Sequence, residues 1–414
     1  MSDAKPLEAE PSDRHTMAEM HNQLSDEYWM RRALDLAMRG LGRVEPNPMV
    51  GCLVVCDGRE IGQGWHQRLG GPHAEVNALS ALAPEQIRRS DLYVTLEPCA
   101  HHGKTPPCLD LLLKLQPKRV IVAMLDPFSE VSGRGVSGLR AAGIRVDVGC
   151  LEAEARCLNA PYLKRLLRGL PWVIAKWAMT LDGAIATGTG DSKWITGERA
   201  RQYAHELRSR VDAIVVGSET VLRDDPLLTA RLPPSVEVPR VAARVVLDRR
   251  MRIPLDSQLV RTANVIPTSL VTSQKAIEAD SQRALELRRT GVELLPVFAD
   301  DKTGGLGAVL QRLSEHGATN VLVEGGGKLL GAFFDGGWVD QVDCFIAPRI
   351  LGSETATRPV AGKLRTWMSQ SQQLDRVTLE SFGMDFHVRG YTSEAGSLTS
   401  SLSADGREVP PQES

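Results

Sequence analysis

The stretch that decides the N-terminal fold reads HAE at residues 73–75 and, after a predicted helix and strand, LEPCAHHGKTPPC at residues 96–108. His73, Cys99 and Cys108 offer an imidazole and two thiolates, which are ligand types that suit tetrahedral zinc. Three protein ligands leave a fourth position for the water that a hydrolytic site needs. Glu75 is the candidate that would take a proton from that water and deliver it to a leaving amine. The stretch therefore predicts a catalytic zinc site.

Two other interpretations of this stretch stay open. In one, His101 or His102 closes a structural zinc site as a fourth ligand, and Glu75 is an ordinary surface carboxylate. In the other, the whole module is a zinc-stapled fold without catalytic activity. Zinc nucleobase deaminases carry H-x-E followed by P-C-x-x-C. Here eight residues, rather than two, separate the cysteines.

Composition limits the class of protein. A chain of 414 residues is too long for one compact domain and suggests two. A net charge of -2, with no basic cluster interleaved with aromatic residues, argues against a nucleic-acid partner and favours a small-molecule substrate. No apolar run is long enough to cross a membrane, and the N-terminus lacks a secretory signal. Seven cysteines without regular spacing indicate a reducing, cytoplasmic location.

Helical and strand patterns alternate along most of the chain and predict two α/β domains. The first spans residues 25–150, a linker helix with Pro161 inside it spans 151–171, and the second domain spans 172–391. Residues 1–24 and 392–414 have the composition of disordered tails. In the second domain, strands are predicted at 172–177, 213–217, 244–247, 265–272, 292–297, 320–324 and 342–346, with helices at 198–209, 275–289, 306–316 and 328–335.

Two glycine-rich segments could bind phosphate groups. Residues 133–138 read GRGVSG and fit G-x-G-x-x-G, but residues 126–132 separate this turn from its strand, and no acidic residue ends a strand about twenty residues later. We therefore expect these glycines to permit close helix packing. The run Gly325–Gly327 directly follows a predicted strand and opens a helix, which is a suitable arrangement for an anion. A tight connection without a ligand is the alternative there.

Four stretches resemble a known family. The segment from Glu97 to Cys108 closely resembles the pyrimidine deaminase of riboflavin biosynthesis. The segments KWAMTLDG (176–183), DSKWITG (191–197) and VGSETVLRDDPLLTAR (216–231) resemble the reductase of the same pathway. The resemblance implies a cytidine-deaminase-like three-layer domain followed by a dihydrofolate-reductase-like α/β domain.

The resemblance also implies the chemistry. The first domain would deaminate 2,5-diamino-6-(5-phosphoribosylamino)pyrimidin-4(3H)-one with one Zn2+ per chain. The second would use NADPH to reduce the ribosyl side chain of 5-amino-6-(5-phosphoribosylamino)uracil to ribityl. A homo-oligomer, either a dimer or a tetramer, is expected. The rival hypothesis is a different free-base or nucleoside deaminase fused to an oxidoreductase.

Carried over by position, the resemblance implies two sets of reductase residues. The substrate set is Ser192, Arg208, Leu228, Arg231 and Glu324, and the NADPH set is Ala178, Trp194, Thr220, Asp224, Gly326, Gly327, Lys328, Leu329, Leu330, Gly331 and Ala332. Arg208 and Arg231 suit a ribose phosphate, because guanidinium groups pair with phosphate in a bidentate manner. The alternative for Arg208 is a solvated surface arginine. Lys176 and Asp182 also lie in the resembling stretches, without an assigned role.

Overall fold

The computed structural model describes residues 13–101, 106–128, 132–297, 305–363 and 365–399. The chain divides into two compact units. The first contains residues up to Val44 together with Met49–Leu158, and the second contains Glu45–Pro48 and the residues from Asn159 onwards. Within the described ranges, no helix is both long enough and apolar enough to cross a membrane.

The first unit is built on a five-stranded mixed sheet. Its strands are β1 (Gly51–Cys56), β2 (Arg59–Trp65), β3 (Asp91–Val94), β4 (Arg119–Val122) and β5 (Arg145–Val148), and its helices are α1 (Asp13–Met38), α2 (Ala74–Leu79), α3 (Pro84–Arg88), α4 (Cys108–Leu115), α5 (Arg134–Ala141) and α6 (Glu152–Leu158). The strand order is β2-β1-β3-β4-β5. Strand β1 runs antiparallel to both of its neighbours, whereas β3, β4 and β5 are parallel.

Helices cover both faces of this sheet, because β1 and β2 alternate their side chains between two helical layers. Gly51 faces α1 so closely that a Cβ atom there would lie 2.0 Å from the carbonyl oxygen of Ala33. On the opposite face, a Cβ atom at Gly64 would lie 2.4 Å from the carbonyl oxygen of Ala74 in α2. The predicted three-layer arrangement of this domain is confirmed.

The second unit is built on a nine-stranded sheet in the order β10-β9-β8-β7-β11-β6-β12-β14-β13. Its strands are β6 (Trp172–Thr180), β7 (Ala213–Gly217), β8 (Ala243–Leu247), β9 (Thr268–Ser273), β10 (Val292–Val297), β11 (Asn320–Glu324), β12 (Gln341–Ala347), β13 (Leu374–Phe382) and β14 (Asp385–Thr392). Its helices are α7 (Ala160–Arg168), α8 (Glu198–Arg208), α9 (Ser218–Asp224), α10 (Gln258–Arg261), α11 (Gln274–Ala279), α12 (Ser281–Arg289), α13 (Leu306–Glu315), α14 (Gly327–Asp335) and α15 (Ser393–Thr399), with a 3-10 turn at Met368–Gln370.

All neighbouring strands of this sheet are parallel except those that pair with β14, which runs antiparallel to β12 and β13. Two apolar cores lie on the two faces of the sheet. In β7, Ile214 and Val216 enter one core, and Ala213 and Val215 enter the other. This alternation explains why β7 reads as a continuous apolar run, since a parallel strand is buried on both faces. The α/β class predicted for both domains is confirmed.

Two predicted helices are interrupted. The segment predicted as one linker helix forms α6 and α7, which meet at Asn159, and Pro161 lies in the first turn of α7. Proline fits there because an amide in the first helical turn has no intrahelical acceptor. The segment 275–289 is divided at Asp280, whose side chain accepts a hydrogen bond from the Arg283 amide and caps α12.

The C-terminal end differs from the predicted disordered tail, because residues 393–399 form α15. Ala395 and Leu398 are buried in the core of the second unit, and this burial stabilises the helix. At the N-terminal end, α1 already begins at Asp13, within the other predicted tail. The remaining tail residues, 1–12 and 400–414, lie outside the described residues. The exact domain ends stay a prediction.

Candidate functional sites

The three predicted zinc ligands meet in the first unit. The Nδ1 atom of His73 lies 3.4 Å from Cys99 Sγ and 3.3 Å from Cys108 Sγ. Tetrahedral zinc with ordinary bond lengths separates a nitrogen and a sulfur ligand by about 3.5 Å. The trio therefore fits zinc in donor type and in spacing. It is the one group of three possible ligands found among the described residues.

Helix starts position two of these side chains. His73 is the N-cap of α2, and Cys108 is the first residue of α4. The Cys108 amide donates a hydrogen bond to Cys99 Sγ over 3.2 Å. Amides of a first helical turn have no intrahelical acceptor, and the helix dipole is positive at that end. Helix α4 therefore stabilises negative charge on Cys99.

The two thiols are strongly coupled. The pKa of Cys99 is lowered to about 4, because the Cys108 thiol and His73 donate hydrogen bonds to the Cys99 thiolate. The pKa of Cys108 is raised, because its proton is shared with Cys99 and its sulfur is buried. The pKa of His73 is raised by its hydrogen bond with Cys99. Negative charge is thus favoured on Cys99 rather than on Cys108, and metal binding must release the protons that remain on its ligands.

Glu75 lies beside this group in the first turn of α2 and is 3% exposed. Burial raises the pKa of its carboxyl group, which is within hydrogen-bond reach of Cys108. The interpretation of Glu75 as a surface carboxylate is therefore wrong. His101 does not belong to the ligand group, and His102 lies outside the described residues. This geometry favours an open, three-ligand site with a buried acid–base group.

Sequence reasoning missed Glu97, a buried carboxylate two residues before Cys99. It accepts hydrogen bonds from the amides of Gly133 at 2.9 Å and Val136 at 3.1 Å, and so holds the start of α5. A Cβ atom at Gly135 would lie 2.1 Å from the carbonyl oxygen of Pro98. The expectation that the glycines of residues 133–138 permit close helix packing is therefore confirmed. An acidic residue at the end of an apolar strand was the only sequence signal for Glu97.

Gly135→Ala should lower both the stability of the first unit and its zinc content, because the new methyl group must displace Pro98 and, with it, Cys99. We expect a loss of about 1–3 kcal/mol in the free energy of unfolding, typical of overpacking. The matched control is Gly138→Ala on the same helix, where the three atoms nearest to an added Cβ atom all belong to the flexible Leu109 side chain. Metal analysis and thermal unfolding of both variants test this, and equal effects would contradict it.

The predicted reductase residues gather at one edge of the second sheet. Strands β7, β11 and β6 are neighbours and parallel, and Glu324 pairs in register with Lys176. Ala178 lies in the last part of β6, Thr220 and Asp224 lie in the helix after β7, and Glu324 ends β11. In open parallel sheets this carboxyl edge is where ligands bind.

Arg208 and Glu324, both predicted to contact substrate, bind each other. Arg208 Nε lies 3.1 and 3.2 Å from the two carboxylate oxygens, and its Nη2 lies 2.5 Å from Oε2. Burial alone would raise the pKa of Glu324, but Arg208 and Lys176 lower it overall. Arg208 is 18% exposed, so the alternative of a solvated surface arginine is wrong. The hydrogen bonds between Arg208 and Glu324 hold both side chains in one orientation at the carboxyl edge of the sheet.

Lys176 occupies the position between two carboxylates. Its Cα atom lies opposite Glu324 on one side and Asp343 on the other. Burial lowers the pKa of Lys176, and the two carboxylates act against that shift, whereas Arg208 adds to it. Lys176 therefore belongs to the same charged row as the predicted substrate residues, although the sequence left its role open.

Asp182 is bound to backbone amides of the loop that follows β12. Its carboxylate accepts hydrogen bonds from the amides of Leu351 and Gly352 and from the Thr180 hydroxyl. These bonds, with that of Thr180 as the largest cause, lower the pKa of Asp182 to about 2. Asp182 thus holds the loop after β12 in place.

The segment before α8 carries two more of the predicted residues. Trp194 is 62% exposed, and the guanidinium group of Arg201 lies 4.7 Å from its ring centroid. Ser192 is half-buried two residues earlier. Leu228 is less accessible than Trp194 and Ser192, because its side chain is buried in a core cluster.

The glycine run at α14 has two faces. At the N-cap, Gly326 has open space where a Cβ atom would be, and Lys328 and Ala332 are exposed. On the other face, a Cβ atom at Gly327 would lie 2.3 Å from the carbonyl oxygen of Arg358, and one at Gly331 would lie 2.5 Å from the Ala361 backbone. Leu330 is buried, and Leu329 is half-buried. The open face lies at a helix N-terminus, where the helix dipole is positive, and so fits an anionic cofactor group.

Comparison with known proteins identifies the family of each domain. Residues 23–124 match the family model "Cytidine and deoxycytidylate deaminase zinc-binding region", and residues 171–388 match "RibD C-terminal domain". The riboflavin biosynthesis protein RibD of Actinobacillus pleuropneumoniae is 40% identical over 87% of this chain and 94% of its own length. RibD of Escherichia coli is 39% identical over 80% of this chain and 90% of its own length.

A solved structure of Acinetobacter baumannii RibD is 36% identical, with a TM-score of 0.77, and the match covers 89% of this chain and 99% of that one. The diaminohydroxyphosphoribosylaminopyrimidine deaminase/5-amino-6-(5-phosphoribosylamino)uracil reductase of Thermotoga maritima is also 36% identical. Its TM-score is 0.76, and the match covers 90% of this chain and 100% of that one.

The fold and the sites define a two-domain enzyme in which a zinc-dependent deaminase precedes a reductase. The chain belongs to the RibD family of riboflavin biosynthesis proteins.

Proposed function

We propose that this chain deaminates 2,5-diamino-6-(5-phosphoribosylamino)pyrimidin-4(3H)-one and then reduces the ribosyl group of the product with NADPH. The observation that carries the proposal is the group of His73, Cys99 and Cys108 next to the buried Glu75. The reduction is supported by a second group of residues, at the carboxyl edge of the nine-stranded sheet. There the N-terminus of α14 is suited to a phosphate group. The family relationship connects the two activities in one chain.

In the first unit, His73, Cys99 and Cys108 would hold one zinc ion. Bound zinc supplies a Lewis acid and lowers the pKa of a water molecule. Glu75 is the residue that accepts a proton from that water and donates it to the leaving amine, so that ammonia departs. Its burial raises the pKa of its carboxyl group, and a raised pKa suits a group that accepts a proton and then delivers it.

In the second unit, the run Gly326–Ala332 with Ala178, Trp194, Thr220 and Asp224 would hold NADPH. Bound NADPH supplies a hydride to C1 of the ribosyl group. Glu324, held by Arg208, would orient the substrate at the edge of the sheet. Arg231 is exposed, whereas Arg208 is already paired with Glu324, so Arg231 is the better candidate for the phosphate of the substrate. Ser192 and Leu228 would complete this substrate set.

We also propose a cytoplasmic location and a homo-oligomer, either a dimer or a tetramer. Two of the seven cysteines serve as thiolate ligands, which a reducing compartment preserves. Light scattering of the purified chain measures the assembly.

The direct test incubates the zinc-loaded protein with the diaminopyrimidine ribosyl phosphate, with and without NADPH, and follows the masses. Without NADPH, only the deaminated product should accumulate. With NADPH, that product should gain two hydrogen atoms. A free base or nucleoside consumed in preference to the phosphorylated substrate would favour the rival hypothesis.

Cys99→Ala and Cys108→Ala should each lose zinc, because two ligands hold the metal far more weakly than three. Glu75→Gln should keep the metal and lose deamination by at least about 100-fold, since an amide does not shuttle protons. Metal analysis with an ammonia-release assay measures both effects. Full zinc content in a cysteine variant, or near-normal deamination by Glu75→Gln, would refute the assigned roles.

The two chemistries should be separable. Glu75→Gln should still oxidise NADPH when given the already deaminated substrate, because every reductase residue lies in the second unit. Conversely, Arg231→Ala should leave deamination intact and weaken reduction, since truncating one partner of a charge pair costs roughly 2–5 kcal/mol in binding. Arg208→Ala should have the same selective effect. The measurement is NADPH consumption by the three variants with the deaminated substrate. Loss of NADPH consumption in Glu75→Gln would contradict the prediction that the two sites work separately.

A further inference from the structure

His205, a residue of α8, makes two directional hydrogen bonds to the loop that carries Arg231. Its Nδ1 atom lies 3.2 Å from the carbonyl oxygen of Thr229. Its Nε2 atom lies 3.2 Å from Nη2 of Arg231. The imidazole thus contacts both the backbone of the loop, at Thr229, and the guanidinium group of Arg231.

The two partners determine the tautomer of His205. A carbonyl oxygen only accepts hydrogen bonds, so Nδ1 must carry the proton. A guanidinium group only donates, so Nε2 must be the bare nitrogen that accepts. His205 is therefore neutral, and it orients Arg231 without competing for the charge of a ligand.

The rest of the loop is held firmly on its other side. Leu228 is buried in a core cluster, and the carbonyl oxygen of Leu227 accepts a hydrogen bond from Arg244. Asp225 accepts one from the Gln258 amide over 2.7 Å. Beyond Leu228 the loop runs to the exposed Arg231, and the described contacts of Thr229 and Arg231 lead to His205. His205 is therefore the residue that holds the guanidinium group of Arg231 in place.

We propose that His205 is a positioning residue that aims Arg231 at the phosphate group of the reductase substrate, an inference that rests on the proposed function of Arg231. A long, exposed arginine side chain loses conformational entropy when it binds an anion. An acceptor that holds its Nη2 atom in advance removes part of that cost. His205 therefore acts through Arg231 and does not itself touch the substrate.

The charges around His205 keep it in the neutral form. Burial lowers its pKa, and the cations Arg208 on α8 and Arg231 on the loop lower it further. The hydrogen bond to the Thr229 carbonyl oxygen and the charge of Glu324 on β11 raise the pKa, with smaller effects. The net lowering of the pKa favours the neutral imidazole, which is the form that can accept a hydrogen bond from Arg231.

The test compares reduction of the deaminated ribosyl phosphate with reduction of the same compound after removal of its phosphate. His205→Phe keeps a planar ring but removes both hydrogen bonds. It should raise KM for the phosphorylated substrate about tenfold, as expected for losing a hydrogen bond to a charged group, and leave kcat within about twofold. For the substrate without phosphate, kcat/KM should change less than about twofold. The kcat for reduction, which should stay within about twofold, is the control for folding of the second unit, because His205 lies in that unit.

His205→Gln provides the rescue, because one amide offers a donor and an acceptor at the spacing of the two ring nitrogens. Its KM should fall between those of the wild type and His205→Phe. The decisive measurement is the double variant His205→Phe/Arg231→Ala, in which the effect of losing His205 should disappear.

Three results would overturn the proposal. One is an undiminished effect of His205→Phe in the Arg231→Ala background, and the second is an equal effect on both substrates. The third is that phosphate removal leaves the wild-type KM unchanged. In that case the phosphate role of Arg231 itself fails, and this outcome is visible in the wild type before any His205 variant is measured.

Discussion

Parallel strands impose the constraint on which both sites depend, because neighbours that run in the same direction end at the same edge of their sheet. In the first unit, the chain leaves β3 toward Cys99 and enters α4 at Cys108. In the second, it leaves β11 at Glu324 and enters α14 at Gly327. In the first unit this crossing places the Cys108 amide against Cys99 Sγ, and in the second it places the start of α14 three residues after Glu324. One crossing suits a thiolate, and the other suits an anionic cofactor.

The zinc trio was predictable because metal chemistry limits both the ligand types and their surroundings. His73 and Cys108 each precede an apolar helical pattern, so even their placement at helix starts follows from the sequence. Glu97 was not predictable in the same way. Its acceptors are satisfied by amides 36 and 39 positions away, and such a contact depends on the completed fold. Because almost every residue type has a backbone amide, a carboxylate that accepts hydrogen bonds only from such amides cannot be recognised from the residue types of its partners.

The second unit shows the same limit. Residue type alone left Arg208 either as a phosphate ligand or as a surface residue, because its partner Glu324 lies 116 positions away. The strands β13 and β14 were missed, since a register shift between Asp375 and Thr378 interrupts the alternation that marks a strand, and β13 is largely exposed. Buried parallel strands such as β7 were found at once, because both of their faces are apolar.

The two faces of α14 separate what can be altered in this enzyme from what cannot. Gly326 and Lys328 border open space, so changes there alter the surface that a cofactor meets and are the natural positions for changing cofactor preference. Gly327 and Gly331 are fixed by the backbone of residues 358–362 behind the helix, whatever cofactor is used. A glycine-rich run that looks like a single binding motif thus consists of two sets of positions with different structural requirements.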